Sequence, residues 1–351
     1  MDRTNTKRVK IGNVVIGGQN KVYIQSMCNI KTSKVKSVVK QILELEELGC
    51  DIIRVSVLDE KDAKAIKKIK EQIHIPLVAD IHFSSKLALL AIDSGASKIR
   101  LNPGNIENEA DIARIITKCK EKDIAIRIGV NSGSLPKNKF KEADYKVTSS
   151  LMIETLDSYI KIFEKYDFDN LVLALKSSHP LVCLEAYRMA SKKYSYPLHI
   201  GVTESSIKDV GLIRSTVGLA PLLLEGIGDT IRISLSDDPR EEVIAAKRLL
   251  HDVGLYDDYY TLISCPTCGR TQANTKKIAT AVMNLLEKYN KNITVAVMGC
   301  VVNGVGEGKA ADIGIACCGN KKYVIFKDGE ILKRTDLNNL LIDFEEEIKK
   351  M

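Results

Sequence analysis

The sequence contains no tryptophan, and all aromatic residues together make up 5% of its 351 residues. Proteins that bind single-stranded nucleic acid stack bases on aromatic side chains, and no DNA- or RNA-binding motif is present, so nucleic-acid binding is not expected. No apolar run approaches the roughly 20 residues of a membrane-spanning helix. The first residues, MDRTNTKRVKIGN, are basic but lack the apolar segment of a secretory signal. These absences predict a cytoplasmic protein that does not bind membranes.

The charge and the cysteines indicate what the chain binds instead. A net charge of +7 suits an anionic substrate or an acidic protein partner, although a lysine-rich solvated surface gives the same excess. Nine cysteines in a chain expected to be cytoplasmic favour free thiols or a metal site over a disulfide framework. Five of them fall in the last quarter of the chain: Cys265, Cys268, Cys300, Cys317 and Cys318.

Eight β-rich runs alternate with helical segments between Val22 and Leu235: VYIQSM, DIIRVSV, PLVADIHF, KIRLNPG, AIRIGVN, NLVLALKS, PLHIGVTE and DTIRISL. The helical segments include 33–48, 60–72, 86–94, 109–122, 151–166, 181–193 and 240–253. Alternation of this kind predicts parallel βαβ units, and eight units over about 250 residues fit a (β/α)8 TIM-type barrel. An open doubly wound sheet is the rival fold, but the first strand is not followed by a G-x-G-x-x-G turn.

The pattern changes after the last of these helices. We predict a barrel over residues 1–254 and a smaller α/β domain over residues 255–351. The second domain reads as a Cys-x-x-Cys segment, a helix at about 275–289, a strand ITVAVMGC, a glycine-rich loop, a strand pair IGIACC and KYVIFKDGEIL, and a final helix.

In such a barrel the chemistry lies at the C-terminal ends of the strands. Five basic residues fall there: Arg54, Arg100, Arg127, Lys176 and Arg232. Cations that converge on one mouth repel each other unless a polyanion lies between them, and guanidinium groups match phosphate oxygens in pairs. A diphosphate would therefore fit this mouth. The alternative is that some of the arginines pair inside the barrel with Asp80, Glu204 or Asp229.

Four strand-end residues are candidate proton donors: Asp80, His82, His199 and Glu204. A single histidine at a strand end is more often a hydrogen-bonded core residue than a catalyst. Glu204 is the stronger candidate, because the sequence around it, VTES, offers no lysine that needs a partner.

The segment Cys265-Pro-Thr-Cys268 is followed by Cys300 after a helix and a strand. A structural zinc site would need a second Cys-x-x-Cys or a histidine pair downstream, and neither follows. Three thiolates and one different ligand fit an iron–sulfur cluster with one distinct iron, for which Glu307 is the candidate fourth ligand. A zinc knuckle, a thioredoxin-like redox pair and a fourth thiolate from Cys317 or Cys318 remain as alternatives.

These residues together resemble the bacterial 4-hydroxy-3-methylbut-2-enyl diphosphate synthases of the non-mevalonate isoprenoid pathway. The resemblance covers essentially the whole chain, through VYIQSM, LVADIHF, IRLNPGN, IRIGVNSGSL, SCPTCGR and MGCVVNGVGEGKAADIG. It implies a [4Fe–4S] cluster held by Cys265, Cys268, Cys300 and Glu307. It also implies diphosphate contacts from Arg54, Arg100, Arg127 and Lys176, with Asn131 and Ser234 in the same loops, and a position near the substrate's ring for Asp80, His82 and Glu204.

The implied reaction reduces 2-C-methyl-D-erythritol 2,4-cyclodiphosphate with two electrons from ferredoxin or flavodoxin and releases water. A head-to-tail homodimer is expected, because the helix after strand 8 (240–253) leads back to the bottom of the barrel. The second domain therefore starts on the side opposite the mouth. Two other functions compete: a barrel lyase or transferase on a phosphorylated substrate with a structural zinc domain, and a non-enzymatic iron–sulfur carrier or scaffold.

Metal analysis of anaerobically purified protein separates the reductive iron–sulfur enzyme from the lyase or transferase with a structural zinc domain. The cluster predicts brown protein with about four irons per chain. Colourless protein with about one zinc per chain would instead support the lyase or transferase.

Overall fold

The structure, a computed structural model, describes residues 3–82, 84–102, 106, 108–135, 144–300, 306 and 308–351. The chain divides into two compact units, Met1–Leu255 and Tyr256–Met351. Among the helices in the described ranges, none combines the length and the apolar composition that a membrane span requires.

The first unit begins with a hairpin, β1 (Val9–Ile11) and β2 (Val14–Ile16), and continues with eight parallel strands. These strands are β3 (Tyr23–Met27), β4 (Ile52–Ser56), β5 (Leu77–Asp80), β6 (Lys98–Leu101), β7 (Ala125–Asn131), β8 (Leu171–Lys176), β9 (His199–Ile200) and β10 (Thr230–Ile231). Their order is β8-β7-β6-β5-β4-β3-β10-β9, and a parallel bridge between Leu173 and Leu198 joins the two ends. The predicted barrel fold is therefore confirmed, with all eight strands.

A helix follows each strand of the barrel: α1 (Val35–Glu47), α2 (Glu60–Lys70), α3 (Ser85–Asp93), α4 (Glu109–Glu121), α5 (Tyr145–Glu164), α6 (Pro180–Lys193), α7 (Lys208–Leu224) and α8 (Pro239–Asp252). Side chains cap several of their N-termini, as where Asp59 accepts a hydrogen bond from the Asp62 amide. Helix α5 starts before the predicted residue 151, because Asp144 caps it at Tyr145. Helix α7 was not specified, since two glycines and Pro221 weaken its pattern.

The hairpin, which was not predicted, closes the N-terminal end of the barrel. Its Val9, Ile11 and Ile16 are buried in one apolar cluster with residues at the starts of four barrel strands: Ile52, Val78, Ala125 and Val172. Gly12 makes the two-residue turn possible, because its φ of +60° lies in the left-handed region that favours glycine. Three-residue strands carry too short an alternation to be recognised in a sequence.

The second unit is a five-stranded sheet in the order β11 (Thr261–Ser264), β12 (Thr294–Met298), β13 (Ile313–Cys317), β14 (Lys322–Lys327) and β15 (Glu330–Asp336). Strands β11 to β13 are parallel and the last two pairings are antiparallel. Helices α9 (Thr275–Leu286) and α10 (Leu340–Lys350) complete the unit. The segment KYVIFKDGEIL, predicted as one strand, forms two, because Asp328 and Gly329 turn the chain with positive φ angles.

Replacement of Ile11 by alanine should destabilise the barrel by about 2–5 kcal/mol, because it leaves a cavity in the apolar cluster between the hairpin and the barrel strands. Lys10→Ala is the matched control on the same strand. Its side chain is exposed and its 3.5 Å ion pair with Asp123 is solvated, so its effect should stay below about 1 kcal/mol. Urea unfolding of the full chain measures both. Equal effects of the two substitutions would contradict the closure of the barrel by this hairpin.

Candidate functional site

The C-terminal ends of the barrel strands carry the polar side chains that the sequence assigns to the mouth. The four basic residues assigned to the substrate have exposed fractions of 2–8%: Arg54, Arg100, Arg127 and Lys176. Lys98, which was not predicted, is completely buried two residues before Arg100. Since alternate residues of a strand face the same side, the spacing in KIRL was the signal that could have identified it.

Asp80 lies between two of these arginines. Its Oδ1 is 3.1 Å from Arg100 Nη1, and its Oδ2 is 3.7 Å from Arg54 Nε. His82 Nε2 lies 3.7 Å from Asp80 Oδ1, and the side chain of His82 is about half exposed. Burial alone would raise the pKa of Asp80, but Arg54, His82 and Arg100 hold this pKa well below its usual range. Asp80 is therefore an ionised anchor for two guanidinium groups.

Arg127 is the most deeply buried arginine of the barrel. Its Nε and Nη1 have no hydrogen-bond partner among the described residues. Its guanidinium folds over Gly129 on the same strand, where a Cβ atom would lie 2.7 Å from Nη2, so a side chain at this position would displace the guanidinium. Burial and the charges of Arg100 and Arg54 lower the pKa of Arg127. A buried guanidinium with unused donors is expensive without a ligand, because its desolvation is not compensated.

Lys176 and Lys98 are held by neutral groups. Lys176 Nζ lies 3.2 Å from Nε2 of the fully buried His199. Lys98 Nζ donates to Gln25 Oε1 at 3.2 Å, and burial followed by the charges of Arg127 and Arg54 lowers the pKa of Lys98 to about 7. Among the described residues, no carboxylate lies at ion-pair distance from Lys98, Arg127 or Lys176.

Only some of the basic residues form the internal ion pairs that the alternative interpretation predicted. Asp80 serves Arg54 and Arg100, and Glu242 on α8 lies 3.4 Å from Arg232 Nη2. Six basic residues share the interior: Arg54, Lys98, Arg100, Arg127, Lys176 and Arg232. Within the described part of the chain, Asp80 and Glu242 are the carboxylates at ion-pair distance from these six, so the interior carries a positive excess.

The other two acids named in that alternative do not contribute. Asp229 lies at the start of β10, at the closed end of the barrel, where it accepts hydrogen bonds from the Leu198 amide and the Thr6 hydroxyl. Burial raises its pKa to about 6. Glu204 is exposed just after β9, and its φ of 51° is unusual for a residue with a side chain. Backbone strain of this kind clusters at functional sites.

The remaining predicted substrate residues also lie at strand ends. Asn131 is the last residue of β7, and Ser234 follows β10; both are partly exposed. The structure therefore brings Arg54, Asp80, Arg100, Arg127 and Lys176 together inside the barrel, with His82, Asn131, Glu204 and Ser234 around its C-terminal end.

The predicted cysteine ligands lie in the second unit. Cys265 follows β11, and Cys300 follows its parallel neighbour β12, so both leave the sheet at the same edge. The Gly299 amide donates to Cys265 Sγ at 3.1 Å. Cys268 is exposed, and the pKa of its thiol is lowered mainly by the Arg270 amide. Glu307 lies outside the described residues.

The surroundings of these cysteines suit thiolate ligands. Among the described residues, no group of three or more His, Cys, Asp or Glu side chains is close enough to hold one metal ion. The N–H···S bond to Cys265 and the lowered Cys268 pKa both favour thiolates. A Cβ at Gly299 would lie 2.6 Å from Thr275 Oγ1, so glycine is required beside Cys300.

The other six cysteines differ in their surroundings. Cys317 is fully buried in the core of the second unit, and Cys318 is partly buried and packs on the same apolar cluster as Cys265. Cys28, Cys50, Cys119 and Cys183 are buried in the barrel unit. Burial raises the pKa of Cys28 and of Cys50 to about 12, as expected for core thiols.

A cation-lined (β/α)8 barrel joined to a cysteine-bearing α/β unit defines the class of protein, and sequence comparison gives its family. The GcpE TIM-barrel domain matches residues 6–247, and the GcpE protein C-terminal domain matches residues 261–350. The chain belongs to the GcpE family. A relative from Clostridium perfringens is 50% identical over 97% of both chains, and one from Clostridium tetani is 48% identical over 100% of both. Both are named 4-hydroxy-3-methylbut-2-en-1-yl diphosphate synthase (flavodoxin), which confirms the predicted family.

Solved structures that share the fold of about 70% of this chain include two dihydropteroate synthases. Dihydropteroate synthase from Stenotrophomonas maltophilia is 13% identical, with a TM-score of 0.53 over 71% of this chain and 99% of its own. The Vibrio fischeri enzyme of the same name is 13% identical, with a TM-score of 0.51 over 70% of this chain and 98% of its own. At this identity the likeness concerns the fold and not the activity.

Arg127→Met should stabilise the ligand-free protein by about 1–4 kcal/mol, because it removes a buried cation with unused donors. Inorganic pyrophosphate, which should raise the thermal midpoint of the wild type, should no longer do so. Arg188→Met is the control, because that arginine pairs with Glu225 on the outside of the barrel. A destabilised Arg127→Met protein that still responds to pyrophosphate would contradict this view of the site.

Proposed function

We propose that the chain reduces 2-C-methyl-D-erythritol 2,4-cyclodiphosphate to (E)-4-hydroxy-3-methylbut-2-enyl diphosphate in isoprenoid synthesis. Relatives that match nearly the whole chain carry the corresponding name. The observation that carries the proposal is the positive excess inside the barrel, above all the unused donors of Arg127. A lyase with a structural zinc domain is not favoured, because those relatives are named for flavodoxin, an electron carrier.

The barrel residues bind the diphosphate and fix its orientation. Arg127 and Lys176 supply charge deep in the pocket, and Arg54 and Arg100 present guanidinium edges that Asp80 holds in place. Asn131 and Ser234 add neutral donors at the strand ends. Because four cations already surround the site, the negative charge released when the ring opens onto the diphosphate is stabilised without further rearrangement.

The reaction breaks the C–O bond that closes the ring and expels one hydroxyl group as water, with two electrons taken up. A [4Fe–4S] cluster held by Cys265, Cys268, Cys300 and Glu307 would supply those electrons one at a time. The departing hydroxyl needs a proton, which Glu204 or His82 provides from the open end of the barrel. Asp80 acts beside the ring as an ionised residue, because its lowered pKa prevents proton donation near neutral pH.

Flavodoxin is the proposed electron donor, with ferredoxin as the other carrier of the same kind. Both are acidic, and the net charge of +7 favours their approach. The proposed location is the cytoplasm, where such carriers are found.

We further propose a head-to-tail homodimer in which the cysteine unit of one chain serves the barrel of its partner. In the barrel unit, α8 leads the chain from the mouth towards the closed end. Helix α7 exposes an apolar stripe at helical spacing, with exposed fractions of 40–71%: Val210, Ile213, Val217 and Leu224. A stripe of this kind on a barrel surface suits burial against a second copy.

A complementation assay tests the activity and the dimer together. Anaerobically reconstituted wild-type enzyme should convert the cyclic diphosphate with reduced flavodoxin, and Cys300→Ser and Arg127→Ala chains should each be inactive alone. Mixed at equal amounts after dissociation and reassociation, they should recover roughly a quarter of wild-type activity, because half of the dimers then contain one intact site of two. Inactive wild-type enzyme would refute the function, and active wild type without recovery would refute the dimer.

A further inference from the structure

Lys176 is paired with an imidazole where a carboxylate would be usual. Its Nζ lies 3.2 Å from Nε2 of His199, and neither side chain exceeds 5% exposure. No described carboxylate lies at ion-pair distance from Lys176. His199 was only a minor candidate from the sequence, and the proposed function leaves it without a role.

The charge of Lys176 decides the protonation state of His199. When Lys176 is an ammonium group, which can only donate, Nε2 accepts from it and carries no proton. The proton then lies on Nδ1, which donates to Thr230 Oγ1 at 2.8 Å. Burial and the charges of Lys176, Arg127, Lys98 and Arg54 lower the pKa of His199 well below its usual range, which agrees with a neutral ring.

We propose that His199, fixed in the Nδ1–H form by Thr230, is a positioning residue that keeps Lys176 charged and directed at the anionic substrate. The proposal rests on the proposed function, since it assigns Lys176 to the diphosphate. His199 touches neither substrate nor cluster in this scheme and acts only through Lys176.

A neutral acceptor solves a problem that a carboxylate would create. An aspartate at this place would also hold the ammonium group, but it would cancel the charge that attracts the substrate. The imidazole accepts one hydrogen bond and leaves the net charge of the pair at +1. The influences that oppose a charged Lys176 are strong, because burial and then the charges of Arg127, Arg232 and Arg54 lower its pKa, whereas Cys183 raises it.

The sign of the pH dependence follows from this arrangement. The acceptor on His199 favours the ammonium form, so its loss should lower the pKa of Lys176 further. Affinity for a polyanion declines as pH rises through the pKa of Lys176 in the free enzyme. Without the acceptor, that decline should start at lower pH. Arginine does not titrate in this range.

Calorimetric titration of the anaerobic holoenzyme with inorganic pyrophosphate from pH 6 to pH 9 measures this effect. His199→Phe keeps a ring but removes the acceptor, and it should weaken binding about tenfold or more and move the decline to lower pH. His199→Gln returns an oxygen acceptor and should recover part of the affinity. Lys176→Met should bind weakly, and the part of the decline that Lys176 causes should be absent, which leaves only the decline expected from Lys98 with its pKa of about 7.

Tyr187→Phe is the matched control for packing. The Tyr187 hydroxyl donates to the His199 carbonyl at 2.7 Å, so its removal disturbs the same residue without touching the imidazole. The pH profile of this variant should follow the wild type. If Tyr187→Phe shifts the profile as His199→Phe does, the role of His199 is structural and the proposal is wrong.

Nitrogen NMR of the histidine rings gives an independent test, because the chain has only five histidines. The signal lost in His199→Phe should show the Nδ1–H form and should not titrate between pH 6 and pH 8. An Nε2–H form, or titration near pH 6.5, would overturn the proposal. If instead pyrophosphate fails to bind the wild type, the proposed diphosphate site is refuted, whatever the protonation form of His199.

Discussion

Positive charge enclosed by the barrel is the constraint on which the other features of this protein depend. Six basic side chains share an interior with two carboxylates among the described residues. Burial of unpaired cations opposes folding, so the rest of the barrel must stabilise the structure enough to hold them. The continuous apolar outer faces of the strands and the amphipathic helices supply that stability. The interior then stays ready for an anion, because it need not reorganise when one binds.

Apart from Arg127, whose Nε and Nη1 have no partner among the described residues, the basic residues fall into two groups by the partners that hold them. Arg54, Arg100 and Arg232 contact carboxylates, which fix their orientation and reduce their net charge. Lys98 and Lys176 contact neutral acceptors, which orient them and leave their charge available. The first group suits the shaping of a pocket and the second suits the attraction of a ligand. The two requirements of a diphosphate site, geometry and charge, are thus met by different residues.

Much of this could be predicted from the sequence, since it depended on local patterns. Eight strand and helix repeats specified the barrel, and strand-end arginines specified its mouth. The residues that contact the basic side chains could not be predicted, because these contacts join separate elements of the chain. Glu242 contacts Arg232 from α8, and His199 contacts Lys176 from a two-residue strand. The hairpin of β1 and β2 was not predicted, because its strands are very short. The Asp328 turn in the second unit was missed because KDG was read as part of one β run.

The ligand roles assigned to the cysteines and to the barrel residues came from spacing and charge together with a resemblance across many motifs, and they are proposals. The structure adds physical reasons for particular residues, such as the glycine at 299 that packs against Thr275 and donates to Cys265. The structure also distinguishes the two adjacent cysteines. Cys318 packs against the same apolar cluster as Cys265, whereas Cys317 lies in the other core cluster of the second unit.

The hairpin at the bottom of the barrel has a kinetic consequence. With Val9, Ile11 and Ile16 sealing one end, the described residues leave the interior open at the C-terminal ends of the strands, and molecules enter and leave there. Substrate cannot follow product through the barrel in one direction, so each product must diffuse out before the next substrate arrives. Slow escape of a triply charged product from an interior this basic would then limit turnover, and a high concentration of product would compete directly with substrate for the same passage.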